Sequence, residues 1–244
     1  MAKILCITAH PDDEAANFGG SVGHYSGRGV ECRLVCLTAG EAARNRGGAA
    51  DNAALQAMRR AELAASCRLL GFHRHEVWDL PDAHLPEAPF YPAVSRLIGV
   101  IREYRPDLVL SMGPEGSVTA HPDHAMAGVI ATAAFHWAAH ARYAPEAGTP
   151  FQPARLYYAT APLQPPQFPQ VWLPHPDVAV DVAAYLDNKI AAFRCHLTQA
   201  PLFDRVEPFL RMAGGTELFH LAAGQPLPEG PLATDLFAGL GLDL

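Results

Sequence analysis

The residues best suited to chemistry lie in two short motifs, AHPDDE at positions 9–14 and HPDH at positions 121–124. Imidazole and carboxylate groups packed this closely destabilise one another in a buried site unless a cation balances their charge. A divalent metal ion is the natural counter-charge. Each motif alone is also typical of a solvated turn or of a helix start, but the two together predict a metal site.

Three side chains form the predicted ligand set: His10 and Asp13 from the first motif and His124 from the second. Two imidazoles and one carboxylate leave coordination positions open, as a catalytic zinc site needs for water. Non-haem Fe(II) enzymes use the same ligand types. The ligands therefore predict Zn²⁺ or Fe²⁺, and the choice between hydrolysis and oxygen chemistry depends on the neighbouring residues.

The neighbouring residues favour hydrolysis. Asp12 adjoins a ligand and is predicted to act as the base that takes a proton from water whose pKa the metal lowers. His121, if protonated, would stabilise an oxyanion or donate a proton to a leaving amine. Asp123 is predicted to orient the His121 ring through its N–H group. An Fe(II) oxygenase is an alternative that oxygen uptake and an iron requirement would identify.

The elements that would position these residues alternate along the first half of the chain. Short apolar runs predict strands at 4–8, 32–38, 76–80 and 108–112. Helices are predicted from Gly19 to Gly27 or Gly29, at 52–70, at 91–104 and from 123 to about 140. This order predicts an α/β protein with a mostly parallel, twisted sheet.

Each of the four predicted strand ends is followed by a polar group, namely His10, Glu41, Asp82 or His121. If the strands are parallel, their carboxyl ends meet at one edge, and these groups converge on one crevice. No G-x-G-x-x-G sequence follows the first strand, so dinucleotide binding is not predicted.

The second half of the chain is less regular. Residues 145–176 are rich in proline and predict long loops around a strand at 156–160, which would form substrate-facing walls. Strands are predicted at 178–182 and 218–221, a helix at 185–196 and an apolar turn at 209–212. Because no linker is evident, residues 1–244 are predicted to form a single domain.

Composition narrows the functional classes. The chain has 244 residues and a net charge of −7, and its basic residues form no runs, so no nucleic-acid partner is expected. No apolar stretch is long enough to span a membrane, and no signal-peptide pattern is present. The five cysteines predict reduced thiols in a cytoplasmic protein. A homo-oligomer is compatible with this composition.

The two motifs together resemble the PIG-L/LmbE-like family of metal-dependent N-deacetylases. Further matches follow in the family's order, and the resemblance covers about residues 3–200. They are Thr38-Ala39-Gly40-Glu41, Arg59-x-x-Glu62 ahead of Leu70-Gly71, Leu80-Pro81-Asp82, and Lys189-x-x-Ala192-x-x-x-His196-x-x-Gln199.

The resemblance implies a Rossmann-like, three-layer α/β fold and bound Zn²⁺. It also implies removal of an N-acetyl group from an N-acetylglucosamine-type sugar or glycoside, such as a precursor of a low-molecular-weight thiol or of an antibiotic. His10, Asp13 and His124 match the family's metal ligands, Asp12 its general base and His121 its oxyanion or acid partner.

The resemblance also suggests contacts with the substrate. Arg59 and Asp82 match positions associated with sugar hydroxyl or phosphate groups, although Arg59 could equally be a helix-surface arginine. His196 is predicted either to reach the substrate as a further polar group or to cap its own helix. Glu14 and Glu41 are predicted to support neighbouring residues rather than to act on the substrate.

The resulting prediction is a cytoplasmic, zinc-dependent N-deacetylase of an amino-sugar substrate, in which water activated by zinc attacks the acetyl carbonyl. The alternatives are an amidase of sugar-thiol S-conjugates on the same site, and a metal- or sugar-binding protein without turnover. Ala120 replaces the glycine usual before HPDH, and the span 145–176 carries no family signature. The group attached to the sugar is therefore not predicted.

Overall fold

The computed structural model describes residues 1–161, 164, 170–212 and 215–242. The strands of these residues form a single seven-stranded sheet. The strands are β1 (Lys3–Thr8), β2 (Glu31–Cys36), β3 (Arg74–Val77), β4 (Leu108–Ser111), β5 (Arg155–Thr160), β6 (Val178–Asp181) and β7 (Thr216–Gly224). The helices are α1 (Asp13–Ser26), α2 (Asn52–Leu70), α3 (Phe90–Tyr104), α4 (Pro122–Trp137), α5 (Leu186–Phe193) and α6 (Phe203–Met212). Short 3₁₀ turns lie at Leu85–Glu87, Ser117–Thr119, Pro145–Ala147, Ala183–Tyr185 and Leu197–Leu202.

The strand order is β3-β2-β1-β4-β5-β7-β6. The first five strands in this order are parallel, and β7 runs antiparallel to both of its neighbours. The chain begins at β1, extends to β3 on one side, and then returns to place β4 on the other side of β1. This reversal between β1 and β4 is a topological switch point, where α/β proteins bind ligands beyond the strand ends.

Alternating strand residues bury both faces of the sheet. In β1, Ile4 and Cys6 pack into the apolar cluster beneath α1, α2, α5 and α6, whereas Leu5 and Ile7 pack into the cluster beneath α3 and α4. A strand covered on both faces reads as a continuous apolar run, which explains the sequence of β1. The predicted three-layer α/β fold with a mostly parallel sheet is confirmed.

The largest difference from the predicted elements in the first half concerns α1. The helix begins at Asp13, not at Gly19, so that Asp13 and Glu14 occupy its first turn. Carboxylates in the first turn interact favourably with the positive end of the helix dipole. Asp13 therefore projects from the rigid start of a helix and not from a turn.

A second difference lies in the C-terminal part, where α6 is a helix over Phe203–Met212 and not an apolar turn at 209–212. Pro208 inside this segment argues against a helix, because it removes one backbone N–H donor. Phe203, Val206 and Leu210 nevertheless pack together against the core cluster beneath α1 and α2. This tertiary packing of one helical face outweighs the unfavourable proline.

The proline-rich span 145–176 contains β5 and the Pro145–Ala147 turn, and its residues 162–163 and 165–169 lie outside the described part of the chain. Thr160 and Ala161 at the end of β5 line the large cavity described below. Among the described residues of this span, the end of β5 therefore agrees with the predicted substrate-facing wall. We propose that residues 1–244 form one domain around the sheet.

Two further features bear on the expected cellular context. All five cysteines are free thiols, and four of them are buried. Among the helices of the described residues, none combines the length and the apolar content that crossing a membrane requires.

Candidate metal centre and active site

The switch point brings the two sequence motifs together. The first motif leaves the carboxyl end of β1, and the second opens α4 just beyond β4, with His121 as the N-cap residue and Pro122 in the first turn. Proline is favoured at this helical position because its missing N–H would have no partner there. The pairing of β1 with β4 and the start of α4 thus bring His10 close to His124, although the two residues are 114 positions apart in the chain.

Three ligand atoms converge at the switch point. His10 Nδ1 lies 3.2 Å from His124 Nε2 and 3.5 Å from a carboxylate oxygen of Asp13. The other Asp13 oxygen lies 3.2 Å from His124 Nε2. Two ligands bound to zinc at a tetrahedral angle with bonds near 2.1 Å lie about 3.4 Å apart. The three side chains fit a divalent cation on this geometry.

Further groups hold each imidazole in the orientation that a shared cation needs. His10 Nε2 lies 3.1 Å from both Asp123 and Asp82 carboxylate oxygens, and His124 Nδ1 lies 3.0 Å from the Thr119 hydroxyl. Such partners fix the tautomer of a metal-binding histidine. Burial would lower the pKa of His10, but the hydrogen bonds to Asp123, Asp13 and Asp82 outweigh it and hold the pKa well above its usual value. These carboxylates make a site for positive charge.

A second grouping of His10, His121 and Asp123 also brings ligand atoms within 4.8 Å of one another. The Asp123 carboxylate, however, is fully buried and already accepts the backbone N–H groups of Ala83 and Leu85, at 2.7 and 3.1 Å. It is not part of the cavity wall. The grouping of His10, Asp13 and His124 is therefore the better candidate, because it opens to the cavity.

The predicted partnership between Asp123 and His121 is wrong in its details. The Asp123 carboxylate contacts His10, and it is the Asp123 backbone N–H that donates to His121 Nδ1, at 3.1 Å. Since Nδ1 accepts this hydrogen bond, the proton of a neutral His121 ring lies on Nε2. Burial, together with nearby His124 and His10, lowers the pKa of His121. A neutral His121 ring therefore has its Nε2–H group available as a hydrogen-bond donor.

Asp12 is held in an uncommon backbone conformation beside the ligands. Its φ angle is +118°, a value that costs free energy for a residue with a side chain. The Arg59 guanidinium donates to the Pro11 carbonyl and to an Asp12 carboxylate oxygen 3.2 Å away. Burial raises the pKa of Asp12 to about 6, against the lowering effect of Arg59. A carboxylate of this kind suits a base that accepts and returns a proton near neutral pH.

Glu14 holds the backbone of Asp12 through a hydrogen bond. One of its carboxylate oxygens accepts the Asp12 backbone N–H at 2.9 Å, and the other contacts the Ser66 hydroxyl and His196 Nε2, at 2.5 and 2.8 Å. Both Glu14 and His196 are fully buried. The substrate contact and the helix cap predicted for His196 do not fit this position, because its ring faces Glu14 inside the protein. The prediction that Glu14 is a supporting residue agrees with these contacts.

Arg59 and Asp82 also lie deeper than their predicted sugar contacts suggest, although both reach the cavity wall. Arg59 is 3% exposed and donates to the Gly40 carbonyl as well as to the first motif. Gly40 has a φ of +71°, and a side chain there would collide with the guanidinium. Asp82 accepts the Ala42 N–H at 2.7 Å and contacts His10. Arg59 and Asp82 are therefore placed to position Asp12 and His10.

Two residues that contribute to the site, Thr119 and Ser66, were not predicted from the sequence. Thr119, which contacts His124, lies in the 3₁₀ turn ahead of the second motif. Ser66, which supports Glu14, lies in the C-terminal part of α2. At Ala120 the φ angle is +52°, a conformation that glycine adopts without strain. This backbone position gives a physical reason for the glycine usual there in the family.

A cavity of about 690 Å³ opens over the candidate metal ligands. His10, Asp12, Asp13, His121 and His124 all lie on its wall. The volume is within the range of roughly 300–1,000 Å³ that is typical of small-molecule sites. The ligand atoms, the candidate base and the candidate donor thus face one space that a substrate can enter.

Replacing Glu14 with glutamine tests the support of Asp12. Both Glu14 oxygens contact hydrogen-bond donors, so the NH₂ group of the glutamine would face a donor where Glu14 offers an acceptor. We therefore expect a loss of about 2 kcal/mol in the free energy of unfolding. We also expect kcat to fall, because the strained Asp12 backbone loses an anchor, while bound metal is retained. Denaturant unfolding, metal analysis and steady-state kinetics measure the three quantities.

Glu62→Gln is the matched control, because the Glu62 carboxylate accepts the Thr198 N–H and hydroxyl, each at 2.7 Å, away from Asp12. It should lower stability in a similar way and leave kcat unchanged. An equal loss of kcat in both variants would show that Glu14 acts only through general stability.

Fold and site together define a class: an α/β protein with two histidines and one carboxylate arranged for a divalent cation at the switch point of its sheet. The family described as PIG-L, GlcNAc-PI de-N-acetylase, matches residues 5–135. A curated relative is 32% identical over 98% of this chain and 97% of its own length. The chain belongs to the PIG-L family, which confirms the resemblance predicted from the motifs.

The curated relative is the 1D-myo-inositol 2-acetamido-2-deoxy-alpha-D-glucopyranoside deacetylase of Rhodococcus erythropolis. Among solved structures, N,N'-diacetylchitobiose deacetylase from Pyrococcus horikoshii has a TM-score of 0.75 and 26% identity, covering 90% of this chain and 83% of its own. The 4-carboxy-2-hydroxymuconate hydratase GalB from Pseudomonas putida has a TM-score of 0.70 and 25% identity, covering 94% and 99%. The similar proteins therefore include both deacetylases and a hydratase.

Proposed function

We propose that the protein is a metal-dependent N-deacetylase of a glycoside of N-acetylglucosamine. The observation that carries the proposal is the convergence of His10, Asp13 and His124 beside Asp12 and His121 on one cavity. The relatives named as deacetylases of 2-acetamido sugars support the same reaction and substrate class. The open coordination positions and the adjacent base and donor are the parts that amide hydrolysis requires.

We propose Zn²⁺ as the ion, held by His10, Asp13 and His124. When bound, a zinc ion polarises a carbonyl oxygen and makes a water molecule more acidic. Fe(II) sites use the same types of ligand. The ion is therefore identified by comparing the turnover of apoprotein reconstituted with zinc and with iron. Higher turnover with iron under anaerobic conditions would contradict zinc as the working metal.

The side chains of this protein have separate tasks in the reaction. Asp12 accepts a proton from the water molecule as the water oxygen bonds to the carbonyl carbon of the acetyl group. His121 donates from Nε2 to the oxyanion that develops on the former carbonyl oxygen. Asp12 then returns its proton to the sugar nitrogen as the carbon–nitrogen bond breaks. Acetate and a free amine are the products.

The direct experiment measures acetate and primary amine released by the metal-loaded protein. The substrates are N-acetylglucosaminyl-inositol, diacetylchitobiose and an N-acetylated sugar-thiol S-conjugate. We expect equal amounts of acetate and amine from at least one of the sugar glycosides. Cleavage confined to the S-conjugate, with release of the acetylated thiol part, would favour the amidase alternative.

The likeness to GalB supports a second candidate function, the addition of water to an unsaturated carboxylic acid. The same base and donor could serve that reaction. The loss of ultraviolet absorbance from a hydroxymuconate-type acid measures it directly. Hydration without any release of acetate would replace the deacetylase proposal.

A cytoplasmic location also belongs to this proposal. The five free thiols are compatible with a reducing compartment, where disulfides are rare.

A further inference from the structure

One wall of the active-site cavity is apolar and lies away from the metal-binding residues. Leu202, Val206 and Phe209 follow one another at intervals of four and three residues, which places them along one side of α6 and the turn before it. Leu218 of β7 and Ala161 beyond β5 complete this surface, which we call the apolar wall.

Of the large side chains in the apolar wall, Val206 packs against one of the apolar clusters, but the other three are not accounted for by such packing. Leu202, Phe209 and Leu218 belong to neither of the two apolar clusters that the described residues form. They face the cavity instead. The three side chains are half-buried. Apolar side chains grouped on an accessible surface mark binding sites more often than single ones do.

Two charged groups beside the wall contact each other. Lys189 and Glu217 both line the cavity, but the Lys189 ammonium group contacts the Glu217 carboxylate at 2.5 Å. The same carboxylate accepts the backbone N–H groups of Gly20 and Ser21, at 2.9 and 2.7 Å. The Glu217 carboxylate is therefore largely engaged by donors of the protein itself.

Sheet geometry gives the separation between the wall and the metal centre. Leu218 pairs with Thr160 at the end of β5, and β7 lies two strands from β4 and three from β1. Neighbouring strands are about 4.8 Å apart, so Leu218 is roughly 10 Å across the sheet from β4. An acetyl group positioned for attack lies beside His10 and His124 and does not reach this far. At this separation the wall can meet a part of the substrate that lies beyond the acetyl group.

We propose that the aglycone, the group joined to the N-acetylglucosamine, is apolar, an alkyl or aryl chain that packs on Leu202, Val206, Phe209 and Leu218. This inference rests on the proposed deacetylase function and narrows its substrate class. Removal of apolar surface from water drives the binding, and each methylene buried is worth about fourfold in affinity. A polyhydroxylated aglycone such as inositol would make no hydrogen bonds with these four side chains.

The test compares hexyl and methyl N-acetylglucosaminides with the zinc-loaded protein, measured by release of amine. We expect kcat/KM for the hexyl glycoside to exceed that for the methyl glycoside by about tenfold or more. Phe209→Ala should lower this hexyl-to-methyl ratio about fourfold or more. Asp204→Ala is the matched control, because Asp204 is exposed on the same helix and lies outside the cavity wall; it should leave the ratio unchanged.

Three results would overturn the proposal. One is turnover of the methyl glycoside with no gain for the hexyl glycoside, which would leave the deacetylase function intact. Another is a preference for N-hexanoyl over N-acetyl glucosamine, which would place the apolar group on the acyl side. The third uses calorimetric binding of hexyl and methyl 2-amino-2-deoxyglucosides and does not depend on turnover. Equal affinities there would refute the apolar subsite even if the protein were not a deacetylase.

Discussion

Replacing Asp12 with asparagine is expected to lower kcat for deacetylation by about 10²- to 10⁴-fold, the usual contribution of a general base. The asparagine keeps the size of the side chain but cannot accept the proton of the attacking water. Its neighbours His10, Asp13 and His124 are unchanged, so the variant should bind the same amount of metal. Single-turnover amine release, with metal analysis of the same sample, measures both effects.

The Asp12 experiment needs a control for the loss of negative charge. Asp79→Asn supplies it, because the Asp79 carboxylate is 77% exposed and contacts Arg60 away from the cavity. This variant should retain full activity. If Asp12→Asn kept more than about a tenth of the original kcat, Asp12 would not be the base.

The second large effect is expected at the metal centre. Replacing His124 with alanine removes one of the three proposed ligands, and metal affinity should fall by more than the roughly 100-fold typical of losing a supporting partner. Activity should fall with it, since the ion supplies the polarisation on which attack depends. Metal content after dialysis against a weak chelator measures the loss of binding directly.

Thermal unfolding gives an independent measure of the same effect. An ion that binds only the folded protein raises the midpoint of unfolding, so added Zn²⁺ should stabilise the original protein and not His124→Ala. His136→Ala is the matched control, because His136 is exposed three turns later on α4. It should keep both the metal and the stabilisation. A His124→Ala protein with full metal content would show that the ion is held elsewhere.

Much of the candidate site could be predicted from residue types and order. His10 and Asp13 follow an apolar strand, and His124 follows the strand that comes three strands later in the chain, so parallel pairing alone brings them to one edge. The structure places His10 Nδ1 and His124 Nε2 3.2 Å apart, as this reasoning requires. The convergence of Glu41 and Asp82 with His10 follows from the same rule, and Asp82 indeed contacts both loops.

The partners of individual side chains could not be predicted in this way. Asp123 is two residues from His121, yet its carboxylate contacts His10, because a residue in the first turn of α4 projects from a different side of the helix than its N-cap. The sequence predicts His196 either near the substrate or as a cap of its own helix, but the packing of α5 against α1 directs it to Glu14. Short sequence separation indicates nearness and not direction.

The sequence by itself determined the alternation of strands and helices, the family and the residue types available at the switch point, because strand periodicity and motif order are local properties of the chain. Only the tertiary structure decided the tautomer of His121, the support of strained Asp12 by Glu14 and Arg59, and the helix at Phe203–Met212 that forms an apolar wall. Those features depend on hydrogen bonds and packing between segments far apart in the chain. Their free energy comes from contacts that no single segment contains, so local pattern cannot specify them.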